Sequence, residues 1–133
     1  MLMNIAPRGD RISDPLYVVT AIFNPVRFNS RWRLYLRFKE FIERSPNAKL
    51  VTVEIAFGDR EFTITESNNP FHVQLRTNDE LWHKERAINI AISRLPLDWR
   101  YVAWIDGDVA FFRPDWANET LHQLQRYSVV QMF

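Results

Sequence analysis

Apolar residues fall along this chain in two alternating patterns, one suited to strands and one to helices. "LYVVTAIF", Leu16 to Phe23, is almost continuously apolar and β-branched, as expected of an interior strand covered on both faces. Asn24-Pro25 breaks it, because the residue before a proline is pushed out of the helical region. Asn29-Ser30 then offers a helix cap. Leu34, Phe38, Phe41 and Ile42 recur at i, i+4, i+7 and i+8, which makes "SRWRLYLRFKEFIER" an amphipathic helix. "KLVTVEIAF" follows with Val51, Val53, Ile55 and Phe57 on one face and Thr52, Glu54 and Ala56 on the other, a second strand.

Beyond a turn at Gly58-Asp59, "REFTIT" and "FHVQLRT" read as short strands separated by a loop from Ser67 to Pro70. Thr77-Asn78-Asp79-Glu80 fits the reciprocal capping box. It opens a helix from Leu81 to Leu95 with Ile88, Ala91, Ile92 and Leu95 on one stripe. "YVAWI" is again a buried-type strand, and Asp115 caps a last helix carrying Ala117, Leu121 and Leu124. "SVVQMF" reads as a further buried strand. Strands alternating with helices of crossover length predict an α/β fold of three α/β/α layers around a mostly parallel sheet. Residues 1–15, with Pro7, Gly9 and Pro15, read as a polar lead-in, mobile at its start, and residues 16–133 as one domain.

Composition narrows the partners. With 47% hydrophobic and 14% aromatic residues among 133, the chain can bury a substantial core. A net charge of +1 from 17 basic and 16 acidic residues gives no footprint for nucleic acid; Arg27, Arg31, Arg33 and Arg37 read as a solvated helix face. The absence of cysteine excludes disulfides and thiolate metal sites. No run reaches the ~18 apolar residues of a membrane span, and the start lacks a signal-peptide core. The expectation is therefore a cytoplasmic protein without a transmembrane segment. His72, His83 and His122 show no mutual metal-ligand spacing, and Trp82, Trp104 and Trp116 read as core aromatics rather than stacking platforms.

The candidate chemistry sits in "YVAWIDGDVAFF". Asp-Gly between apolar runs is a strong hairpin signal. The same letters also present Asp106 and Asp108, two hard oxygen ligands for a divalent cation that keeps open positions for a substrate diphosphate. The preceding strand and helix bring the second reading level with the first, because polar residues at the carboxyl ends of parallel strands are where such sheets bind ligands.

The run "ELWHKERAINIAISRLPLDWRYVAWIDGDVAFFRPDW" resembles the nucleotide-sugar-binding half of glycosyltransferases of the GT-A fold, whose helix and apolar strand lead into a D-x-D motif. "VVTAIFNPVRFNSR" resembles their first strand and nucleotide loop. The resemblance implies a Rossmann-like GT-A domain, cut short before the family's acceptor-side half, so that no catalytic base is assigned. It implies that Asp106 and Asp108 hold Mn²⁺ or Mg²⁺, Asp106 facing the ribose or base and Asp108 coordinating directly. Gly107 would let the donor approach closely, Lys84 would reach the diphosphate or base, and Glu54 would contact the nucleobase. Asn24 and Arg27 would meet base and phosphates, while Glu85 and Asn89 rank below Lys84. The expected partners are a nucleotide-diphosphate sugar and an unknown acceptor. Two alternatives stand beside this: a non-catalytic α/β interaction module, and a nucleotidyltransferase, whose Gly-rich basic loop is replaced here by "NPVRFNSR".

Overall fold

A computed structural model describes residues 2–4 and 14–132 of the chain. The elements are β1 (Leu2–Asn4), β2 (Leu16–Phe23), α1 (Asn29–Arg44), β3 (Ala48–Phe57), β4 (His72–Thr77), α2 (Lys84–Ser93), β5 (Tyr101–Trp104), α3 (Trp116–Leu124) and β6 (Val129–Val130). The strands form one sheet in the order β4-β3-β2-β5-β1-β6. β4, β3, β2 and β5 are mutually parallel, and β1 runs antiparallel to both β5 and β6. The chain is thus an α/β protein with four parallel strands and three helices among the described residues. Leu2–Asn4, part of the expected lead-in, contribute a strand. The expected mobility at residues 1 and 5–13 lies outside the described residues.

β2 is central, as its unbroken apolar run predicts. Leu16 to Phe23 pair with Ala48 to Ile55 on one side, and Leu16 to Val19 with Tyr101 to Trp104 on the other. Its successive side chains supply opposite layers. Leu16 and Val18 pack with Tyr35, Phe38 and Ile42 of α1 and with Trp116, Leu121 and Leu124 of α3. Tyr17 and Val19 pack with Ala87, Ile88 and Ala91 of α2. Each fully buried aliphatic side chain of this kind stabilises by about 1.5–3 kcal/mol. Trp116, expected in the core, stacks on Phe111 at 4.5 Å between ring centroids and donates its indole N–H to Ser45 Oγ at 2.9 Å.

Several local expectations are corrected. Of the stripe predicted for α1, Phe38 and Ile42 are buried and Phe41 packs against them, but Leu34 is exposed and Tyr35 takes its place. Tyr35 wins because its hydroxyl reaches Thr52 Oγ1 at 2.7 Å inside the core. No side chain caps α1, whose cap residue is Phe28. α2 begins at Lys84 rather than Leu81, without a side-chain cap, because Thr77 ends β4 and its hydroxyl is drawn to the amide of Asp79 and to His83. "REFTIT" forms no strand; its amides turn onto Glu54. Both faces of β3 are buried, the one bearing Thr52 and Glu54 included, at 1% and 6% exposed. The last strand is a two-residue edge, not a buried one: Val129 is half-exposed. Asp115 precedes α3 without capping it, its carboxylate being held by Arg113 at 2.8 and 3.0 Å.

Candidate functional site

The route of the chain through the sheet decides where a site can form. From β2 the chain moves outward through α1 to β3 and then to β4. It then returns through α2, on the opposite face, to β5 on the other side of β2. The carboxyl ends of β2 and β5 therefore flank the point where the connection direction reverses, where neighbouring loops part and leave a crevice. A cleft of about 510 Å³ lies there, lined among others by Ile22 and Phe23 of β2, Arg31, Trp82, Lys84 and Asp106 to Asp108.

Asp106 and Asp108 reach this cleft because β5 continues one residue further, with Ile105 N–H donating to Val19 O at 3.1 Å. The chain then turns, Val109 N–H donating to Asp106 O at 3.2 Å. No strand returns alongside β5 from this turn, and Gly107 is not among the described residues with positive φ, so the hairpin reading fails. The side chain of Asp106 is 58% exposed and Asp108 is exposed, whereas Gly107 between them is buried. A Cβ on Gly107 would stand 2.7 Å from Ile22 Cδ1 and 3.2 Å from Thr20 Oγ1. The glycine thus makes room for the side chains of β2, and its close packing fixes the turn that carries both aspartates.

Lys84, the first residue of α2, directs its ammonium onto Asp106 Oδ1 in an ion pair across the cleft. The same ammonium lies 5.8 Å from the centroid of the Trp82 ring. Trp82 is 74% exposed and donates its indole N–H to Glu85 at 3.2 Å. The Glu85 carboxyl is held below its ordinary range by its own backbone amide and by that indole. Asn89 is exposed further along α2. Asp108 has no hydrogen-bond or ion-pair partner among the described residues, and it is the free carboxylate of the pair.

Asn24, Arg27 and Glu54 gather in a neighbouring hollow that shares Ile22 and Ile55 with the cleft. Its volume is about 30 Å³, against about 510 Å³ for the cleft. Polar groups here are spent on loop structure. Glu54 accepts from the amides of Thr63, Ile64 and Thr65 and from the Thr65 hydroxyl at 2.8–3.2 Å. Asn24 bonds both backbone groups of Phe28, at 2.9 and 3.0 Å. Arg27, with φ 57°, lays its guanidinium over Trp32 at 5.7 Å.

Sequence reasoning missed Arg31 and wrongly placed Trp82 in the core; its ring is instead exposed at the cleft. Arg31 looked like one charge on a solvated helix face, yet it donates to Phe23 O at 2.9 Å from the first turn of α1 and lines the cleft. Its position one turn beyond the β2 loop was the available signal. His83 sits at the same rim, with Nε2 2.6 Å from Asp79 Oδ1. The Asp79 carboxyl is held below its usual range by His83 and by the amide of Leu81.

No group of three or more metal-ligating side chains occurs among the described residues. Two aspartates facing a cleft nevertheless fit a hard cation that takes its remaining oxygens from phosphate and water. No protein-family model, curated protein or solved structure matches the chain. No helix among the described residues is long and apolar enough to cross a membrane.

Proposed function

We propose that this chain binds a nucleotide-diphosphate sugar in the cleft between β2 and β5 and is the donor-binding part of a metal-dependent glycosyltransferase of the GT-A type. One observation carries the reading: Asp106, Asp108 and Lys84 meet at the carboxyl end of β5, at the reversal point of a parallel sheet. The residues divide the work by charge. Asp108, with Asp106 beside it, would hold Mn²⁺ or Mg²⁺, while Lys84 and Arg31 supply fixed positive charge toward phosphate oxygens. The ion's contribution when bound is to offset negative charge on a nucleoside-diphosphate leaving group. Asn24 and Glu54 act on the donor indirectly, by shaping the loops after β2 and β3, and Arg27 lines the neighbouring hollow with them. The transferred sugar and its acceptor are left unassigned.

Calorimetric titration of UDP- and GDP-sugars, with and without Mn²⁺, tests the proposal. Binding is expected to need Mn²⁺ and to weaken by about tenfold or more, ~1.4 kcal/mol, in Asp108→Asn. Equal affinity in wild type and variant, or no binding of either sugar, favours a non-catalytic module in which Lys84 and Asp106 are simply a finished ion pair.

A further inference from the structure

The ion pair inside the cleft has a bearing on the order in which ligands enter. Lys84 Nζ rests on Asp106 Oδ1, and its side chain is only 27% exposed, so Asp106 already has a cationic partner from the protein itself. A divalent cation seated against Asp106 would face this ammonium at close range and be repelled by it. That leaves Asp108 as the uncommitted aspartate of the pair, with Glu80 the other carboxylate lining the cleft, and one or two carboxylates leave such an ion most of its coordination still to fill. An incoming diphosphate changes both conditions. Its oxygens offer Lys84 another partner, releasing Asp106, and they add ligands for the cation. The apolar stem of Lys84 and the ring of Trp82 beside it keep the ammonium at the cleft while its head changes partner.

Resting on the donor-binding reading above, we propose that Lys84 is a built-in counter-ion which makes cation binding conditional on the diphosphate. In its resting state it occupies Asp106 in place of the metal, and it transfers to phosphate when the donor enters. Cation and donor then strengthen one another's binding by the same factor, since such coupling is reciprocal.

The test is a titration of Mn²⁺ alone, then of UDP with and without Mn²⁺, on wild type, Lys84→Met and Lys84→Gln, with thermal melts to show that each variant is folded. Wild type is expected to bind Mn²⁺ weakly by itself and much more strongly once UDP is bound. Lys84→Met, or Lys84→Gln if the former does not fold, is expected to bind Mn²⁺ alone about tenfold more tightly. The mutual enhancement by UDP should shrink accordingly. An unchanged Mn²⁺ affinity in a folded variant overturns the counter-ion role even if Mn²⁺-dependent UDP binding persists, and in that case the donor-binding reading survives. Tighter Mn²⁺ binding in the variants, with no UDP binding to any protein, supports the competition at Asp106 and overturns its release by a uridine diphosphate instead.

Discussion

Glu54 is 6% exposed, and what makes this burial tolerable is the ring of three amides and one hydroxyl that its two oxygens accept. A buried carboxylate so partnered closes the loop after β3 over the strand ends. Glu54→Ala leaves those donors without an acceptor and should cost about 1.5–3 kcal/mol, the range for bonds to a charged group. Urea unfolding would measure the loss. Glu54→Gln retains one acceptor oxygen and should lose less, and a loss in Glu54→Ala within error of zero would remove this account of the loop. Glu54 was legible as a residue of interest but not in its role, because its partners lie nine to eleven positions onward in a stretch with no periodicity. Asp106 and Asp108 were easier to place: the apolar run before them fixes the strand whose end they occupy. Gly107 was picked out from the turn, while its packing against Ile22 depends on a strand more than eighty residues earlier.

β4 illustrates how an element with a weak pattern is held by its flanks. At its start His72 Nδ1 accepts the amide of Glu66 at 2.9 Å, which requires a neutral imidazole, and burial pushes its pKa below the ordinary 6.5. The folded state therefore binds fewer protons than the unfolded state just below 6.5. Stability is fully present above that pH and declines as pH falls toward the folded pKa. Melting temperatures from about pH 7.5 to 5.5 should fall more for wild type than for His72→Asn, which cannot titrate; parallel curves would exclude His72 as a source of acid sensitivity. The same flanking contacts explain the errors in element boundaries. The spacing in α1 gave the helix and the buried Phe38 and Ile42, but not Tyr35 in place of Leu34, because a Tyr35 to Thr52 hydrogen bond is a tertiary fact. The capping box before α2 was overridden when Thr77 was taken into β4.

At the scale of the molecule, the parallel core was readable because β2 and β5 are apolar on both faces, a pattern only a sheet covered on both sides requires. Reversal of the chain's direction between them was not, because element order leaves strand order open; the sequence placed Asp106 and Asp108 only at the carboxyl end of a parallel strand. The antiparallel side of the sheet was not readable. Leu2–Asn4 is too short for a periodicity, and its partners lie at Tyr101 to Ala103 and Val129–Val130. That inserted strand has a consequence for the order of assembly. β2, α1 and β3 meet through short chain closures, whereas β1 must bring together segments about a hundred residues apart, at greater entropic cost. Native-state hydrogen exchange should therefore divide the sheet in two: amides of Val18, Val19 and Val53 are expected to open only with the whole molecule, and those of Val129 and Val130 at lower free energy. Equal protection across both groups would mean that the far edge folds as one unit with the center, and that the last strands to pair are as firmly committed as the first.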